Sequence, residues 1–76
     1  MAIFGIITFH TNHFAIKAKK VLEGCGKKPE LTNIPRELSS DCGFCCKIPW
    51  EEKEDAEKIL KENSVEFDYI YQWEKG

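Results

Sequence analysis

Apolar and polar positions fall into six segments along the chain. Ile3 to Phe9 is β-rich and apolar on both alternating faces, with Ile3, Ile7 and Phe9 on one and Phe4 and Ile6 on the other. A strand apolar on both sides is usually a central one. Thr11 or Asn12 then caps a helix whose stripe is Phe14, Ala18, Val21, Leu22 and Cys25, the spacing of one helical face. Gly24 and Gly26 supply its stop. Leu31 to Pro35 reads as a short second strand and Phe44 to Trp50 as a third. Glu51 to Asn63 is a charged helix with Ala56, Ile59 and Leu60 inward, and acids crowd its first turn, where the helix dipole favours them. Val65 to Trp73 alternates, with Val65, Phe67, Tyr69, Tyr71 and Trp73 on one face.

The order βαββαβ predicts an α+β fold, a ferredoxin-like two-layer sandwich with an antiparallel four-stranded sheet. In that topology the first and third strands are neighbours. The first strand then ends at the sheet edge where the second-to-third connection turns, which brings His10, Thr11, His13 and the start of the first helix beside the loop Pro35 to Gly43.

Length and composition narrow the class. A chain of 76 residues is expected to form one domain over 1–76 of modest stability, since a chain this small hides only about 60% of its unfolded surface. Its 42% hydrophobic and 32% charged content is that of a globular domain. A net charge of −2 argues against nucleic acid as a partner. No apolar run approaches the roughly 20 residues that span a bilayer, so no membrane role is expected. The opening MAIFGIITFH lacks the basic and small-residue features of a secretory signal. A cytoplasmic location follows as the expectation, with four mainly reduced cysteines.

Among those cysteines Cys42 is the chemical candidate. It lies in the polar run PRELSSDCG, after Ser39, Ser40 and Asp41 and before Gly43, where a sulfur is presented rather than packed. A helix N-terminus nearby carries about +0.5 charge and favours thiolate, lowering a cysteine from about 8.5 toward roughly 3.5–7.5. Arg36 pushes the same way and Asp41 against it. Cys42 and Cys45 form a C-x-x-C, which also fits a thiol–disulfide pair or two ligands of a soft metal. On an extended strand Cys46 shares a face with Phe44 and Ile48 and reads as core; Cys45 shares the other face with Lys47, as a resolving thiol or a filler. Cys25 ends the helical stripe and reads as packing. A zinc site needs a second ligand pair that only His10 and His13 could supply, at loose spacing. Neither a metal nor another cofactor is expected.

His10 and His13 are otherwise polar cap residues able to move a proton to or from sulfur. Ser39 and Ser40 shape a turn or, with local N–H groups, hold an oxyanion. The aromatic side of the last strand exceeds what two short helices cover, so the open sheet face is expected to meet a partner or to form a homodimer.

The opening IITFHTNHFAIKAKKVL, the loop PRELSSDCG and the charged helix before a final strand together resemble the selenium/sulfur carrier protein-like family over nearly the whole chain. The resemblance implies a carrier rather than an enzyme, with Cys42 holding sulfur or selenium as a persulfide or selenopersulfide. The partners it implies are a donor, of the cysteine desulfurase kind, and acceptor proteins. Pro35, Arg36, Ser39, Cys42 and Gly43 match the motif directly and His10 matches the strand-end histidine, with Ser40 and Thr11 as neighbouring candidates for binding. Cys45 and Cys46 depart from the small or aliphatic residues expected there, which leaves the redox or soft-metal alternative through Cys42 and Cys45 open.

Overall fold

The computed structural model describes residues 2–36, 38 and 43–75. Strand β1 (Ala2–Thr8) is followed by helix α1 (Asn12–Gly24), β2 (Glu30–Asn33), β3 (Phe44–Pro49), a 3-10 turn (Trp50–Glu52), α2 (Lys53–Glu62) and β4 (Ile70–Lys75). The four strands form one sheet in the order β2-β3-β1-β4, and every neighbouring pair is antiparallel. As expected, β1 is central and pairs with β3.

Ile7, Cys46 and Ile48 line the side of the sheet that meets the helices, against Ala15, Ala18 and Leu22 of α1 and Ala56 and Leu60 of α2. The two alanines of α1 let its backbone approach β3, while Phe14 and Val21 flank the contact half-buried. Each fully buried Leu or Ile contributes about 1.5–3 kcal/mol. Thr11 is the N-cap, its hydroxyl accepting the Phe14 N–H at 3.3 Å. At the other end Gly26, at φ +82, lets Lys27 N–H reach Leu22 O at 3.0 Å and its own N–H reach Glu23 O at 3.1 Å, closing the helix in a Schellman turn.

Two expectations are corrected. Cys25 is exposed: it is the C-cap of α1, already turned off the buried stripe by the Gly26 stop. The last segment is not one alternating strand either. Thr8 donates its N–H to Tyr69 O at 2.9 Å but accepts from Asp68 N–H at 2.7 Å, so two residues oppose one, as in a β-bulge. The extra residue shifts the side-chain phase by one. Val65 and Phe67 therefore join the helix-side core together with Ile70. Tyr71 and Trp73 fall on the opposite face, across from Ile6 and Phe4.

That opposite face is partly closed by its own residues. The Lys47 ammonium lies 4.7 Å from the Phe4 ring centre and 5.9 Å from that of Trp73, and bonds Glu30 at 2.8 Å. Beneath this layer Ile6 is fully buried.

Candidate functional site: the rim where the first helix starts

Thr8 stands opposite Cys45 in the β1–β3 ladder, so β1 ends where β3 begins. Phe9, buried, holds the chain down as it turns into α1. On the other side of β3, Asn33 pairs with Phe44, and one step further Ile34 N–H bonds Gly43 O at 3.0 Å. The connection from Pro35 to Cys42 thus leaves and returns through a hydrogen-bonded stem. That stem is tied to α1, because Asn12 Oδ1 accepts the Phe44 N–H at 3.2 Å. A Cβ on Gly43 would lie 3.8 Å from both Asn12 Oδ1 and Ile34 Cδ1, an ordinary contact, so packing alone does not demand glycine there.

Of the residues singled out from the sequence, Ser39, Ser40 and Cys42 lie outside the described residues. Arg36 is exposed in a turn closed by Leu38 N–H to Pro35 O at 3.0 Å. The Thr11 hydroxyl is committed as acceptor to the helix cap. His10, with 69% of its side chain exposed, bonds Asp68 Oδ1 through Nε2 at 2.8 Å. Asp68 precedes β4, whereas the loop stem is on the β3 side of β1, so these two features flank the strand end on opposite sides. His13 is exposed on the first turn of α1, its ring 5.8 Å edge-on to that of Phe14. The helix start thus lies against Phe44 at the foot of the loop, while the His10 imidazole is engaged by Asp68.

The two strand cysteines point to opposite faces and both are sealed. Cys46 donates its S–H to Ala15 O at 3.5 Å inside the helix-side core. Cys45 donates to Asn33 O at 3.6 Å and has no exposed surface. Burial pushes the Cys45 thiol up to about 11, against a smaller opposing pull from Lys47. Burial also pushes Cys46 up to about 12, reinforced by Cys45 beside it. Neither ionises near neutral pH. Among the described residues no group of three or more His, Cys, Asp or Glu side chains converges to hold a metal ion, and no helix is long and apolar enough to cross a membrane.

Asn12 is the residue that sequence reasoning undervalued. It was legible as a candidate cap, but its bond reaches 32 positions along the chain, and no local pattern announces that.

Residues 4–72 match the model of the family described as "Putative Se/S carrier protein-like". The chain belongs to this family. No curated protein and no solved structure matches it. The Se/S carrier protein-like match takes in α1, the loop with Cys42, both buried strand cysteines and α2, and ends within β4.

Proposed function

We propose that this chain is a sulfur or selenium carrier, not an enzyme, that holds the chalcogen on Cys42 as a persulfide or selenopersulfide between a donor and an acceptor protein. The observation that carries this is the bond from Phe44 N–H to Asn12 Oδ1. It fastens the chain two residues from Cys42 to the positive end of a 13-residue helix with no acid in its first turn. Successive Cα atoms are about 3.8 Å apart, so covalent geometry keeps Cys42 next to the pinned Gly43. A helix start favours negative charge, the charge of a thiolate and of a terminal persulfide.

Transfer then needs no further oxidant. The Cys42 thiolate attacks the outer sulfur of a donor cysteine persulfide; the donor's S–S bond breaks and its electron pair leaves with the donor thiolate. One S–S bond is exchanged for another, and the outer sulfur keeps its oxidation state. Delivery to the acceptor repeats the step with the roles exchanged. Arg36, Ser39, Ser40, Gly43 and Thr11 are the proposed surroundings of this sulfur; the bond of His10 to Asp68 on the β4 side of β1 counts against a place for that imidazole among them. The sealed, neutral thiol of Cys45 counts against a resolving role in a disulfide cycle. Antiparallel pairing in the order β2-β3-β1-β4 supports the ferredoxin-like reading of the scaffold. Tyr69, 64% exposed beside Tyr71, supports a homodimer or partner contact on the open face; sedimentation that stays monomeric at high concentration would remove the homodimer.

Mass spectrometry tests the carrier itself. Incubation with a cysteine desulfurase and cysteine should add one sulfur to the wild type and to Cys45→Ser, and none to Cys42→Ser. Loading of Cys42→Ser would assign the chemistry to another thiol.

A further inference from the structure

Charge is unevenly placed on this fold. α1 carries Lys17, Lys19 and Lys20 against a single acid, Glu23, and Lys19 pairs with that acid at 3.1 Å. On the α2 side, Lys27, Lys53 and Lys61 are each engaged by Glu52, Asp55 or Glu57. Lys17 and Lys20, both exposed, enter no ion pair or hydrogen bond with a described residue. In a chain of net charge −2 these two are a local positive field, added to the helix start that Asn12 ties to the Cys42 loop.

Apolar surface lies in the same place. Residues four apart on a helix stand one above the other, so Asn12, Ile16 and Lys20 form one ridge of α1, with Lys17 beside it. Ile16 is 42% exposed and Phe44 38%. Phe44 shares the helix side of β3 with Cys46 and Ile48 by strand alternation, and its N–H holds the foot of the ridge through Asn12. A single exposed apolar side chain is ordinary. Two of them flanked by uncommitted lysines, next to a loop that must exchange sulfur by direct contact, are not scattered at random.

We propose that this face, from Asn12 through Ile16 to Lys20 with Phe44 at its foot, is where the sulfur-donor protein docks, and that the donor meets it with a carboxylate-rich rim around its own persulfide-bearing cysteine. The assignment rests on the carrier function above. Attack on the donor's outer sulfur requires the two sulfurs to touch, and Cys42 is one residue from a pinned stem, so the donor must cover whatever surrounds that stem. Carboxylates opposite Lys17 and Lys20 raise the encounter rate in a salt-dependent way, and Ile16 and Phe44 supply the desolvated contact that keeps the complex together.

Sulfur loading measured by mass spectrometry at low and high ionic strength tests this, with two donors: a cysteine desulfurase with cysteine, and inorganic polysulfide. The double variant Lys17→Glu/Lys20→Glu is expected to load from the desulfurase at least tenfold more slowly than wild type at low salt. Ile16→Ser is also expected to be slower, while Lys58→Glu, on the exposed side of α2, keeps the wild-type rate. Polysulfide should load all of them alike, and added salt should slow the desulfurase reaction of the wild type. Desulfurase loading of the double variant at the wild-type rate would overturn the docking face and leave the carrier standing. Equal slowing with polysulfide would place the lysines' effect on the thiol and overturn docking. Salt-sensitive self-association of the wild type, abolished by the double variant, would assign the face to a second copy instead. A wild type that loads from neither donor overturns the carrier and this assignment together.

Discussion

The side-chain oxygen of Asn12 accepts a hydrogen bond from the backbone N–H of Phe44 at 3.2 Å, joining the first turn of α1 to the returning arm of the Cys42 loop. It is a link between two elements rather than a cap, since Thr11 already caps the helix. It sets the start of α1, the positive end of its dipole, against Phe44, two residues along the chain from the proposed carrier cysteine.

Asn12→Ala should lower stability by about 1 kcal/mol, the net worth of one such bond, and should slow both alkylation and sulfur loading of Cys42. Asn12→Asp keeps the acceptor and recovers the stability, but sets a carboxylate at the stem and should raise the pH at which Cys42 alkylates. Urea unfolding and pH-dependent alkylation separate the two. Unchanged Cys42 reactivity in Asn12→Ala would leave the bond without a functional part.

Much of the scaffold was legible because it depends on period. The spacing of Ala18, Val21 and Leu22, the two-sided apolarity of β1 and the Gly24–Gly26 stop are local signals, and the elements they predict are present. The reading of the Cys42 loop rests on composition alone, and its Ser39, Ser40 and Cys42 lie outside the described residues. What was not legible depends on single hydrogen bonds between distant residues. Nothing in the sequence near Thr8 or Asp68 signals that one opposes two. The regular alternation from Val65 to Trp73 therefore suggested a longer strand and one aromatic face, where the structure divides those residues between two faces. Cys25 misled for a related reason: helical spacing continues on paper past the point where Gly26 ends the helix.

That bulge predicts the effect of Thr8→Val. The Thr8 hydroxyl is nearly buried, accepts Tyr69 N–H at 3.3 Å and lies 3.4 Å from Tyr69 O. Valine keeps the shape and removes the polar partner, so stability should fall by about 1 kcal/mol, read as a lower urea midpoint with an unchanged slope. An equal or higher midpoint would mean that the ladder bonds alone hold the bulge.

The sealed cysteines make stability sensitive to alkali. Burial holds Cys45 near 11 and Cys46 near 12, above the ordinary 9.0. From pH 9 upward the unfolded chain releases these protons while the folded chain keeps them. The unfolded state then binds fewer protons, and stability falls as pH rises. Their contribution is whole below about pH 9 and is lost toward pH 11–12, by up to about 1.4 kcal/mol per pH unit for each thiol. Cys45→Ala should make the decline in urea midpoint between pH 9 and 11 visibly shallower. An identical decline in wild type and variant would show that neither burial nor the shift holds in solution.

Ser64 offers a test in the opposite direction. It sits at φ +57, in the left-handed region that costs an L-residue roughly 1–2 kcal/mol, and it does so to end α2. Its N–H bonds Lys61 O at 3.2 Å, and the next N–H, of Val65, bonds Leu60 O at 2.9 Å. This is the Schellman arrangement that Gly26 serves in α1, and it brings buried Val65 back onto buried Leu60. Glycine removes the Cβ strain but adds freedom to the unfolded chain. Ser64→Gly should therefore stabilise the fold by less than the full strain, about 0.5–1 kcal/mol, and leave sulfur loading of Cys42 unchanged. A loss of thermal stability in this variant would mean that serine is not strained there and that α2 ends by another route.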